Sequence, residues 1–139
     1  MTTSTINSRE ALQRLLKETK VIAVVGLSPN ADRPSHGVAQ YLIAAGYQVI
    51  PVNPTQDEIL GQTCYPDLKS IPIKVDMVDV FRKAEDALEV ARDAVQIGAH
   101  CLWLQLGVIN EEAAATAAAG GLHVVMDRCV KIDHRELMG

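Results

Sequence analysis

The sequence predicts an α/β fold, a doubly wound, five-stranded parallel sheet with flanking helices, and three observations lead there. Short apolar runs recur along the chain, each followed by a stretch of helical periodicity. The first run, Val21 to Val25, contains no polar residue, as suits a strand covered on both faces. Gly46 and Gly98 stand just past helical stretches, where C-terminal caps belong.

In chain order, residues 8–18 predict an amphipathic helix. Asn7 and Glu10 have capping-box spacing, and Leu12, Leu15 and Leu16 share one face. Strand 21–25 runs into Gly26, and Val38, Tyr41, Leu42 and Ala45 set a helix over 35–45. A second strand spans 47–52. Pro51 is awkward there, because proline lacks the ladder donor unless its N–H side is free. Residues 53–74 are the least regular part, with one helical turn expected over 67–70; such long loops are often functional.

The run VDMVDVF, 75–81, predicts a third strand, and its two aspartates suggest incomplete burial or an edge position. A helix over 84–97 and a fourth strand over 101–106 follow. Asn110 then caps an alanine-rich helix with Glu111 and Glu112 in its first turn. Residues 122–126 give the fifth strand. The expected strand order is 3-2-1-4-5, with a crevice between strands 1 and 4 ringed by loops 26–35, 53–55, 81–83 and 105–109. Residues 1–139 read as a single domain, with 1–7 a flexible lead and 130–139 a tail of ambiguous pattern.

Composition narrows the function. The formal net charge is −4 and no basic run exists, which argues against nucleic acid or an anionic membrane as partner. There is no apolar stretch long enough to span a bilayer and no secretory pattern at the N-terminus, so a cytoplasmic location is expected. Cys64, Cys101 and Cys129 lack CxxC or His-paired spacing, so neither a metal site nor a disulfide framework is expected.

The chemistry concentrates in the loop leaving the first strand. A helix N-terminus offers unpaired N–H groups and the positive end of its dipole to an anion. Gly26 allows close approach, Ser28 and Ser35 add hydroxyls, and Arg33 adds a planar fork suited to phosphate oxygens. The same Gly, Ser and Pro residues also make ordinary turns that bind nothing. A dinucleotide is the first ligand to test against this loop. After Gly26 the next glycine is Gly37, so the GxGxxG turn is missing. Strand 2 ends in Asn53 and Pro54 rather than an acid for the ribose of NAD.

The segments GLSPNADRPSHG (26–37), PVNP (51–54), ILG (59–61), VDMVDVFR (75–82), WLQLGVIN (103–110) and VVMDRC (124–129) together resemble the small bacterial CoA-binding domain proteins. That family is similar to the N-terminal domain of the succinyl-CoA synthetase alpha subunit. The resemblance spans residues 8–134 and implies a Rossmann-like sheet holding coenzyme A, or an acyl-CoA, at its C-terminal edge. By motif, Gly26, Leu27, Ser28, Arg33 and Ser35 would surround the phosphates and Asn53 and Pro54 the adenosine. Phe81 and Arg82 would line the nucleotide, with Gln105 and Gly107 near the crevice. Phe81 and Trp103 also suit plain core, Arg82 a solvated charge and Gln105 a buried amide. Several relatives place a Lys or Arg after the PVNP-like motif as a clamp for the 3′-phosphate; this chain has Thr55.

No Ser-His-Asp, Cys-His or paired-carboxylate arrangement stands out, so a binding protein without catalysis is the leading reading. The alternative is a nicotinamide dinucleotide-binding oxidoreductase or redox sensor. A third role is a subunit with a vestigial crevice, whose Ala113 to Ala119 face packs on a protein partner or in a homo-oligomer.

Overall fold

The computed structural model describes residues 5–138. Five parallel strands form one sheet: β1 Val21–Val25, β2 Gln48–Val52, β5 Met77–Val80, β6 Cys101–Leu104 and β7 His123–Val125. Between β2 and β5 lies a two-stranded antiparallel pair, β3 Glu58–Ile59 and β4 Gln62–Thr63. The helices are α1 Arg9–Glu18, α2 Pro34–Ala44, α3 Ala87–Gln96, α4 Glu111–Ala119 and α5 Val130–Met138. The last of these occupies the tail whose pattern was ambiguous.

The order of the main sheet is β2-β1-β5-β6-β7, which corrects the expected 3-2-1-4-5. The third long strand lies beside β1, on the side away from β2. Pro51 supplies the physical reason. A strand residue points its N–H and C=O to the same side, and the Pro51 carbonyl accepts from Tyr65 N at 3.0 Å on the outer edge. The missing donor therefore also faces outward, where a full strand would need it, and β2 is confined to the edge. Tyr65 meets that edge as an isolated bridge to Val52, and no full strand pairs there among the described residues.

The third strand is also not an edge. All four residues of β5 are buried between β1 and β6, Asp79 included. Asp76, just before it, is half-buried because its carboxylate accepts from Lys20 N (3.0 Å) and Val21 N (2.9 Å), tying the foot of β5 to that of β1. Polar letters in this run thus reflect a backbone clamp and a buried acid rather than a solvated face.

Two layers of helix cover the sheet. Ile22, Val24, Met77, Cys101, Trp103 and Val125 face α1, α2 and α5, while Ala23, Val25, Val78, Val80, Leu102 and Leu104 face α3 and α4. The cap of α1 is Ser8, whose hydroxyl accepts from Ala11 N at 3.2 Å, and not Asn7; Ser8 caps equally well and starts the helix one residue later. Asn110 caps α4 as expected, accepting from Ala113 N at 2.9 Å. Ala113, Ala114 and Ala117 are buried within the chain's own core, so that side of the alanine-rich helix is already covered.

The irregular stretch after β2 contains the expected helical turn at Leu68–Ser70, capped by Asp67. Of the lead, residues 1–4 lie outside the described residues, and Ile6 N donates to Val124 O at 2.8 Å. None of the described helices is long and apolar enough to cross a membrane.

Candidate functional site

The winding of this sheet reverses between β1 and β5, so a crevice opens outside their C-terminal ends, rather than between the first and fourth strands as expected. All four loops expected around it are present. At its centre, Gly26 has φ +87°, and its N–H donates to Val52 O at 2.9 Å. A Cβ at Gly26 would lie 2.6 Å from the Phe81 carbonyl oxygen and 3.0 Å from Arg82 Cδ. The backbones leaving β1 and β5 therefore cross at van der Waals contact, which only glycine permits.

The phosphate-type loop is held by its own side chains. Ser35, buried in the first turn of α2, accepts from Ser28 N at 3.0 Å, and Ser28 Oγ accepts from Asn30 N at 3.1 Å. Arg33 occupies the N-cap position of α2 with extended backbone and makes no side-chain cap, and Pro34 follows at the first helical position. Pro34 has no N–H and His36 N donates to Arg33 O at 3.1 Å, so the first turn offers the Ser35 N–H to another acceptor, with a guanidinium beside it. Gly26, Ser28, Arg33, Pro34, Ser35 and Phe81 line a solvent-open cavity of about 340 Å³.

Two further cavities flank this one. Toward β6, Pro34, Val38, Phe81, Gln105, Val108 and Cys129 line a mostly apolar space of about 410 Å³. Gln105 is buried, and its Oε1 accepts from Val130 N at 3.2 Å. On the α3 side, Val25, Val52, Pro54, Leu68 and Val90 floor a cavity of about 190 Å³ whose rim carries Arg82 and several carboxylates. Arg82 reaches both flanking spaces and stands 3.8 Å from Asp86.

Gly26, Ser28, Arg33, Ser35, Pro54, Phe81, Arg82 and Gln105 thus border this chain of cavities. Three other expected site residues sit differently. The Leu27 side chain is wholly buried in the core beneath the loop. Asn53 is spent on the scaffold: its Nδ2 donates to Leu27 O at 3.0 Å, and its Oδ1 accepts from Thr55 N and Oγ1. Gly107, with φ +82°, donates to Asp127 Oδ1 at 2.7 Å and so pins the loop after β6 to the loop after β7.

Sequence reasoning missed the acidic rim formed by Asp86, Glu89 and Asp93. Their spacing of three and four residues along a helix was a usable signal for one shared face. It also placed Trp103 between site and core. The ring is fully buried, and its indole N–H donates to Arg128 O at 2.8 Å.

Burial dominates the electrostatics of the described thiols and of one acid. Burial pushes the Cys101 thiol far above its ordinary range, with the nearby Asp79 adding to the effect, so this sulfur is an inert core group. Burial likewise raises Cys64. Asp79 is fully buried with no hydrogen-bond partner for either oxygen among the described residues, and desolvation drives its pKa well upward, disfavouring the charged form. Among the described residues no cluster of His, Cys, Asp or Glu is arranged to hold a metal ion.

Comparison with known proteins gives three kinds of match. The family model described as "CoA binding domain" matches residues 20–135. The uncharacterized protein YneT of Bacillus subtilis (strain 168) is 42% identical over 127 residues, covering 91% of this chain and 94% of that protein. A solved structure of a hypothetical protein from Pyrococcus horikoshii OT3 superposes with a TM-score of 0.94 at 38% identity, covering 100% of this chain and 99% of that one. The ADP-forming acetate–CoA ligase II of Archaeoglobus fulgidus is 35% identical over 81 residues. That match takes in 57% of this chain but only 12% of the ligase, so the chain is similar to a small part of a much larger enzyme.

Proposed function

The chain belongs to the CoA-binding domain family, and from that premise we propose that it binds coenzyme A or an acyl-CoA as a single, non-catalytic domain of the cytoplasm. The diphosphate would rest on the loop from Gly26 to Ser35, accepting from the Ser35 N–H at the start of α2 and from the Arg33 guanidinium. The adenosine would lie on the Pro54 side and the pantetheine arm in the apolar space beside Phe81 and Gln105. No step of bond making is assigned to this chain.

The observation that carries the reading is the contact of Gly26 with Phe81 and Arg82. A cradle too tight for a single methyl group, next to an uncapped helix N-terminus and a guanidinium, suits a group that needs backbone N–H donors within hydrogen-bond reach.

Calorimetric titration with CoA tests it. Binding is expected, with affinity falling roughly 10–100-fold in the Arg33→Ala/Ser28→Ala double variant, the loss for one charge-assisted contact and one weaker one. Unchanged retention in that variant, or the absence of heat with CoA at millimolar concentration, overturns the reading. NADH titrated in parallel separates the dinucleotide alternative, for which a tighter fit than CoA is required.

A further inference from the structure

The cavity on the α3 side differs in charge from the phosphate loop next to it. Its floor is apolar, from Val25, Val52 and Leu68, and its rim carries Asp67, Asp86, Glu89 and Asp93 against one base, Arg82. That base already stands 3.8 Å from Asp86, and Asp93 has Lys69 at 3.4 Å. Glu89 has no cationic partner among the described residues. Beyond Pro54 the chain continues as Thr55, Gln56, Asp57 and Glu58, which adds acids and no base.

Carboxylates accept from free ribose hydroxyls and from the adenine amino group, and they repel a phosphate at the same place. The choice between NAD and its phosphorylated form in dinucleotide sites rests on this logic. The start of α3 faces the same rim and would by itself draw an anion, with roughly half a positive charge. Asp86 at its N-cap position and Glu89 in its first turn outweigh that.

We propose that this pocket reads an unphosphorylated ribose. The preferred ligand class is an adenosine 5′-diphosphate ester with free 2′- and 3′-hydroxyls, so that dephospho-CoA is held more tightly than CoA. The proposal rests on the CoA reading of the loop and deepens it. Two uncompensated negative charges placed one Debye length, about 8 Å, from a dianionic phosphate in water and moderate salt would translate into about a fourfold difference in affinity.

The experiment is calorimetry of the intact chain with dephospho-CoA and with CoA, at low, moderate and high salt. Dephospho-CoA is expected to bind about fourfold tighter at moderate salt and by a wider margin at low salt, and the gap should close at high salt as screening grows. The exposed substitution Glu89→Arg should reverse the order toward CoA, and circular dichroism would show that it folds. Equal affinity, a preference for CoA, or a ratio unmoved by Glu89→Arg overturns this proposal and leaves the CoA reading standing. No binding of either nucleotide overturns both.

Discussion

Gly26 and Phe81 touch through their backbones: a Cβ at Gly26 would come within 2.6 Å of the Phe81 carbonyl oxygen, on a residue whose φ is +87°. The contact sits where β1 and β5 end side by side, so it fixes the distance between the two loops that border the central cavity.

Gly26→Ala should therefore cost stability and binding together. The positive φ and the backbone clash should lower stability by about 1–3 kcal/mol. The carbonyl is backbone and has no rotamer to yield, so the loops must separate. Chemical denaturation and CoA calorimetry on the same sample check this, and a variant of native stability and affinity would contradict it.

Ser35 holds the phosphate-type loop through the Ser28 N–H, at 3.0 Å. Ser35→Ala leaves that partly buried donor without its acceptor, which should cost about 1–2 kcal/mol locally. Amide exchange at Ser28 should accelerate by about tenfold or more while exchange in the sheet core changes less, because the loss opens the loop before the domain. Uniform acceleration throughout the chain would instead mark a global effect.

Asp79 makes stability depend on pH in a definite direction. Its folded pKa is raised above the unfolded one, so its contribution is fully present below the ordinary carboxylate range. It is lost as pH rises toward the folded value, at up to about 1.4 kcal/mol per pH unit. Asp67, lowered by its hydrogen bonds from Ser70, works the other way and only in acid; His134, lowered by burial, also loses its contribution as pH falls. The difference between the native chain and Asp79→Asn cancels both. That difference, measured by urea unfolding from about pH 4.5 to 7.5, should shift toward the variant as pH rises. A flat difference would show that Asp79 titrates normally.

Gly120 lies against Val95, whose two methyl carbons would stand 2.6 Å from an added Cβ. Gly120→Ala should destabilise by about 1–3 kcal/mol through overpacking between α3 and the end of α4. Val95→Ala in the same chain should recover much of it. A thermal double-mutant cycle reads the coupling, and additive losses would refute the contact.

Strand positions, helix faces and the strand-loop-helix unit after β1 were legible in the residues because each depends on local pattern. β1 spans Val21–Val25 as expected, Asn110 caps α4, and Gly26, Ser28, Arg33 and Ser35 follow one another closely enough to share a loop whatever the rest of the chain does. The family resemblance, carried by motifs in order, agrees with the match over residues 20–135. Less legible was the use made of single polar residues. Asn53 and Gly107 bond to other loops, and Leu27 turns into the core, because each has a partner brought from a distant part of the chain.

By itself, then, the sequence determined a parallel α/β sheet and a loop after its first strand that carries Gly26, Ser28, Arg33 and Ser35 together, since periodicity and glycine placement act over a few residues. Tertiary structure alone decided which strand lies beside β1, that Asp79 is buried between Val24 and Trp103, and that an acidic rim from α3 stands next to the phosphate-type loop. Those facts depend on which surfaces meet once the chain crosses over itself. A signal for the first was present in Pro51, but it becomes readable only when the direction of its missing N–H is known, and that direction is a property of the paired sheet.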